Sequence, residues 1–297
     1  MSDVRYGIPP PAFRLPAATR LGPVRLLVSD LGRSIAFYEE VLGLRATRDG
    51  PAAATLQAAD GRALVALESR PGVTPAPPGL SLGLYHFAIL LPARQDLGRF
   101  LGHLSAAGIR PGMADHLVSE ALYLSDPDGL GIEVYADRPR DAWRVQGREL
   151  AMATDPLDAR SVLAAAGDTA WAGMPAGTVM GHVHLHVGDL DAGASFYHAA
   201  LGLDKVVWSY PGALFMAAGG YHHHLGTNTW SRGAAPRDDQ ARLLSWDLIV
   251  PREDEASAAA ASLAAAGFSV RDETGAFTAA DPWGTGLRIA ADRNPDR

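Results

Sequence analysis

Two stretches of this chain look alike and differ in one charge. Ser125–Asp137 reads SDPDGLGIEVYAD, and Ala280–Asp292 reads ADPWGTGLRIAAD. Both spell an Asp-Pro-x-Gly-x-Gly turn followed by a strand, but Glu133 in the first stands where Arg288 stands in the second. Side chains alternate along a strand, so Ile132 and Val134 share one face while Glu133 and Tyr135 share the other. A lone carboxylate in an apolar sheet is costly unless a partner or a cation satisfies it. Histidines are the natural company. His86 sits in an apolar strand; His182, His184 and His186 alternate in HVHLH and share a face; Tyr221 opens the run YHHH, His222–His224. Cysteine is absent, so any metal here binds through His, Asp or Glu. Two His and one carboxylate with open positions is the donor set of non-haem Fe(II) oxygenases.

The remaining chemistry-bearing residues sort by context. Histidine is the usual acid or base near neutral pH, and the YHHH run supplies candidates. If the run is a strand, parity groups His224 with His222, and a one-residue slip selects His223 instead. His116 and Tyr123 precede Glu133 in the order His, five residues, apolar-Tyr, two residues, Asp-Pro-x-Gly, three residues, Glu. His103 and His198 fall in helical contexts and read as structural. The Gly-Leu-Gly piece at 129–131 is turn chemistry without the strand-then-helix setting of a nucleotide site.

These residues are carried by a repeated unit. Gly22–Leu44 and Gly181–Leu203 align without gaps and agree at 11 of 23 positions. Each reads as a strand, a helix capped by Asp30 or Asp189, and a stop at Gly43 or Gly202. A second, weaker pair starts at Tyr85 and Ser245: strand, proline, helix, Ala-Ala-Gly stop, then the Asp-Pro turn. Four modules follow, near 22–69, 82–136, 180–231 and 243–292. The expected division is an N-terminal half (1–136) with modules one and two, a connector (137–179), and a C-terminal half (180–297) with modules three and four. The connector carries its own helix signal, with Pro156 in its first turn and Gly167 at its stop. The Pro-rich start reads as an arm packed on the surface.

Composition narrows the rest. A chain of 297 residues with 47% hydrophobic content can bury a sizeable core. A net charge of −7 and the lack of any basic block argue against nucleic acid. No apolar run reaches the roughly 18 residues of a membrane span, which makes a cytoplasmic protein the expectation.

The four βαβββ modules resemble the vicinal-oxygen-chelate superfamily, which includes glyoxalases, bleomycin-resistance proteins and type I extradiol dioxygenases. The resemblance covers roughly Gly22 to Ala291. It implies an α+β fold in which modules pair into two cupped mixed sheets with helices outside, and ligand slots on the first and last strands of each module. The first-strand slots hold Pro23, His86, His182 and Ser245. The last-strand slots hold Glu133, Arg288 and, counting back from Leu225, His224; module one offers no ligand. The implied metal ligands are His86, Glu133 and His182, so module two should pair with module three, leaving one and four as a structural pair. The connector's length alone would suggest one with two and three with four.

The His116-to-Glu133 spacing is similar to the extradiol ring-cleavage signature, with Ala114 a small departure. Ring-cleaving members usually carry that signature in module four, not module two. GLYHFAILLP, SEALYLSDPDG, YADRPR and GGYHHHLG resemble the Bacillus-type catechol-2,3-dioxygenase group. The resemblance implies Fe(II), with Mn(II) also suited, and a catechol and dioxygen as partners, leading to a muconic semialdehyde. It implies aromatic catabolism, and it leaves room for a homo-oligomer. Catalytic roles would fall to His222, His223 or His224, with His116 and Tyr123 steadying substrate oxygens. Two other functions remain open: a glyoxalase-like isomerase or lyase, which would follow if His224 were a fourth ligand, and a metal-free small-molecule binder.

Overall fold

The computed structural model describes residues 6–77 and 81–292. Two eight-stranded mixed sheets carry the architecture. The first runs Asp204–Val207, Ala213–Ala217, Leu225–Asn228, Val179–His186, Gly83–Leu90, Gly131–Asp137, Ser119–Ser125, Gly112–Asp115. It joins modules three and two. The second sheet joins modules four and one, with Arg242–Val250 beside Arg20–Val28 at its centre. The fold class is the α+β arrangement expected, and the sheets pair the modules as the ligand distribution required.

Local chemistry sets each element. Asp30 and Asp189 accept the backbone N–H of Arg33 (2.9 Å) and Ala192 (2.7 Å), capping helices that begin at Leu31 and Leu190. Gly43 and Gly202 end these segments at φ of 72° and 97°, a conformation that disfavours any side chain. The connector helix is Ala159–Ala165, capped by Asp158. Pro156 therefore precedes the helix and does not sit in its first turn, because the Asp158 carboxylate takes the Ser161 N–H and sets the start. The described part of the N-terminal arm packs on module three, where Ile8 pairs with Lys205 and Arg14 with Asp204.

The repeated Phe-Tyr and Asp-Pro-x-Gly motifs meet each other. Asp126 accepts the N–H groups of Asp128 and Leu130 and the hydroxyl of Tyr38 (3.2 Å). Asp281 does the same with Trp283, Thr285 and Tyr197 (2.8 Å). Module one thus braces the turn of module two, and module three that of module four. Sequential modules touch through the helix layer, while modules two and three, and one and four, share sheets. On the helix side lies one continuous apolar core that includes Phe87, Ile89, Ile132 and Val134 from the first sheet and Trp246 and Leu248 from the second.

Candidate metal centre

The inner face of the first sheet brings His86, Glu133 and His182 together. Register explains how. His182 lies opposite Ala88, and Ala88 lies beside Glu133, so the three form a row across adjacent strands. Ala88 is fully buried and small, and its methyl leaves the space that the flanking side chains fill. His86 comes from the next row down, opposite His184. One donor atom from each of His86, Glu133 and His182 falls within a common span of 4.8 Å, and all three residues are buried.

The polar atoms of this cluster are under-satisfied. His182 Nε2 is 3.1 Å and His86 Nε2 2.9 Å from the same oxygen, Glu133 Oε2. The His86 contact lies off hydrogen-bond direction, and His86 Nε2, Glu133 Oε1 and His182 Nδ1 are buried with no hydrogen-bond partner. Buried polar groups are almost always paired, so the unpaired His86 Nε2 and Glu133 Oε1 leave donor atoms that could hold a metal ion. Burial pushes His182 down to about 4, despite the pull of Glu133, so its ring is neutral at pH 7 with a lone pair to give. Burial alone would raise Glu133; His182 and His86 outweigh it and hold the carboxylate well below its ordinary range. A neutral imidazole and an ionised carboxylate are the forms in which His and Glu side chains can ligate a divalent metal.

A cavity of about 330 Å³ opens onto the cluster. Met113, Met152, Tyr210, Phe215 and Trp230 form apolar walls, and His116, Tyr123 and His223 supply polar groups. His116 is held by the Ala153 carbonyl, which can only accept, so Nδ1 carries the proton (2.6 Å). Its Nε2 then accepts from the Tyr123 hydroxyl at 2.6 Å, leaving the phenol oxygen's lone pairs for another donor. Burial, followed by the charge of Glu133, holds the Tyr123 phenol well above its usual range.

Of the three consecutive histidines, His223 faces this cavity, with its ring 4.0 Å from that of His182. His224 does not. Its Nδ1 accepts the Ala218 N–H (3.2 Å), and it lines a separate cavity with Arg140 and Met180. The expectation that His224 shares the inner face is corrected: the strand begins only at Leu225, so residues 221–224 form a turn to which strand alternation does not apply. His222 is buried behind His223, its Nδ1 2.7 Å from His223 Nδ1 and its Nε2 2.9 Å from Asp137 Oδ1. A carboxylate only accepts, so His222 Nε2 carries a proton and, in the neutral ring, Nδ1 accepts from His223 Nδ1–H. His223 is then left with an unprotonated Nε2.

Asp137 was not singled out by its residue type. Its signal was parity: it lies two and four residues beyond Tyr135 and Glu133 on one strand face. Tyr135, between them, donates to or accepts from Tyr221 at 2.7 Å and packs against His182. Asn228 bridges His184 (2.9 Å) and His186 (2.6 Å), so those rings are occupied by the protein itself. Met152, Ala153 and Thr154 show that the connector walls the cavity as well as linking the halves.

Comparison with known proteins shows the family. Residues 20–134 and 179–289 match the family described as the Glyoxalase/Bleomycin resistance protein/Dioxygenase superfamily. The chain is 42% identical over 269 residues to a catechol-2,3-dioxygenase of Bacillus subtilis (strain 168), covering 89% of this chain and 94% of that one. A solved structure of a putative dioxygenase from Bacillus subtilis subsp. subtilis str. 168 shares the fold, with a TM-score of 0.64 at 14% identity, over 95% of this chain and 87% of that one. Glyoxalase I from Zea mays shares it with a TM-score of 0.53 at 18% identity, over 92% of each chain. No helix among the described residues is long and apolar enough to cross a membrane. By its sequence match, its paired βαβββ modules and its buried His-His-Glu cluster, the chain belongs to the glyoxalase/bleomycin resistance protein/dioxygenase superfamily.

Proposed function

We propose that this chain is an extradiol dioxygenase that cleaves a catechol with O2 to a 2-hydroxymuconic-semialdehyde-type product. The observation that carries this reading is the three-ligand cluster bordering a cavity that also holds a base of defined tautomer. His86, Glu133 and His182 would hold Fe(II). Bound there, a ferrous ion would supply open coordination positions and the redox chemistry for the reaction of a catechol with dioxygen. A glyoxalase-like role built on four protein ligands is not favoured, because His224 points to another cavity and the cluster among the described residues stops at three.

The chain's own residues would do the following. His223 takes a catechol hydroxyl proton at Nε2, the atom that the His222–Asp137 chain keeps unprotonated. As that proton arrives, the Nδ1 proton of His223 is shared toward His222, and the Asp137 carboxylate balances the positive charge. Tyr123 accepts a hydrogen bond from a substrate oxygen while His116 fixes the phenol's direction. The aromatic and methionine walls exclude water and grip the ring. They include no lysine or arginine, so they suit an uncharged catechol better than one bearing a carboxylate.

The test is anaerobic loading with Fe(II), then oxygen uptake on addition of catechol, 4-methylcatechol and protocatechuate. Uptake equimolar with the first two diols and at least tenfold slower turnover of the third is expected. No uptake with any catechol while the metal stays bound refutes the assignment.

A further inference from the structure

The second sheet forms its own cup, and its lining inverts the chemistry of the first. The same rows can be read across it. Pro23 takes the place of His182, Asp247 that of Ala88, Arg288 that of Glu133, Ser245 that of His86 and Arg25 that of His184. The space that Ala88 leaves for a metal is taken here by the Asp247 carboxylate, 3.0 Å from Arg288 Nη1. No histidine remains in these slots, and the Asp247 carboxylate faces Arg288 and Arg25. A cavity of about 480 Å³ nevertheless persists on this face, larger than the one over the His-His-Glu cluster.

Four arginines border it: Arg20, Arg25, Arg62 and Arg288. Two are already engaged. Arg20 pairs with Asp292 at 2.8 Å and Arg288 with Asp247. The other two are not held by hydrogen bonds. The Arg25 guanidinium lies 3.9 Å from Asp247, and that of Arg62 lies 4.0 Å from Asp60, both beyond hydrogen-bond reach. Asp60 is itself engaged by the N–H groups of Gly177 (3.0 Å) and Arg62 (3.1 Å). Two planar forks with free N–H groups therefore face a concavity whose arginines outnumber its acids. Such forks match carboxylate and phosphate oxygens in geometry and charge.

We propose that this second cup is an oxyanion site, in which Arg25 and Arg62 clamp the carboxylate or phosphate group of a small molecule. The assignment is independent of the reaction at the metal cluster. Isothermal titration of the intact, metal-loaded protein at constant ionic strength, with inorganic phosphate and with succinate as probes, tests it. One saturable site for at least one probe is expected. Arg25→Gln and Arg62→Gln should each weaken it by about tenfold or more, while His86→Ala leaves it unchanged. Tighter phosphate binding points to a phosphorylated ligand, and tighter succinate binding to a carboxylic acid. The proposal falls if neither probe saturates, if the double variant binds as the parent does, or if His86→Ala abolishes binding and so places the anion at the metal cluster. Because both arginines are partly exposed, the variants should fold, and an unchanged thermal midpoint confirms that any loss belongs to the site.

Discussion

His222→Phe isolates the hydrogen-bonded chain behind His223. The phenyl ring keeps the volume of a fully buried side chain packed against Trp143 and Tyr221, and it removes both ring nitrogens. His223 Nδ1 then loses its acceptor at 2.7 Å. A buried N–H facing a phenyl ring goes unpaired, whereas an unprotonated nitrogen there loses less, so the proton moves to Nε2 and points into the cavity. The base is then blocked at the atom that must accept the catechol proton. Positioned general bases contribute about 10²–10⁴ in rate, or roughly 3–5 kcal/mol of activation free energy. Folding should change less, since the two hydrogen bonds lost, to His223 and to Asp137, are worth about 1 kcal/mol each and the packing volume is kept. The assay is steady-state oxygen uptake by Fe(II)-loaded protein, with metal content and urea midpoint measured on the same samples. The expected result is kcat down by at least about 100-fold, with metal stoichiometry and KM near those of the parent. A kcat within about threefold of the parent with metal fully bound would refute the tautomer argument.

Other outcomes follow from the same geometry. Glu133→Gln removes the charge between two imidazoles, and affinity for Fe(II) should drop at least about 100-fold in a chelator competition; unchanged affinity would remove Glu133 from the ligand set. Burial raises Asp126 to about 6, against 3.8 in the unfolded chain. A carboxyl raised in the folded state contributes stability that is present below about pH 4 and lost as pH rises through about 6. Asp126→Asn keeps the oxygen that accepts from Asp128 and Leu130, so it should match the parent near pH 4 and exceed it by up to ~3 kcal/mol at pH 7 in urea titrations. A pH-independent difference would show that the charge is not what burial penalises. Gly181→Ala would place a Cβ 1.8 Å from Tyr135 Oη and 2.8 Å from Cε1. It should lower stability by about 1–3 kcal/mol, and Tyr135→Phe should not restore it, because the ring carbons still collide.

Much of this was readable from residue order, because it rests on short-range periodicity. The module boundaries come from strand, cap and glycine signals within about 25 residues of one another. Alternation put Glu133 on the face opposite Ile132 and Val134. The unequal distribution of His and Glu among equivalent slots then made modules two and three partners, and the sheet order agrees. Arg288 is the same slot in the cup without ligands. Its cation answers Asp247, which fills the space that Ala88 leaves open beside Glu133.

What the chain order did not contain was direction at the places where regular structure stops. His223 and His224 are adjacent, and only the turn before Leu225 decides which one meets the cavity. Asp137 becomes part of the site through a contact with His222, 85 positions away, and Tyr38 reaches Asp126 across 88. The cavity walls come from the connector and from module three as well as from the signature of module two. Periodicity repeats within a segment and can be read from it, whereas a hydrogen bond between distant segments exists only once both have been placed. The sequence alone therefore determined the modules, the residue types in their equivalent slots and the faces they occupy, while tertiary structure decided which histidine meets the cavity and which arginines are left without a hydrogen bond.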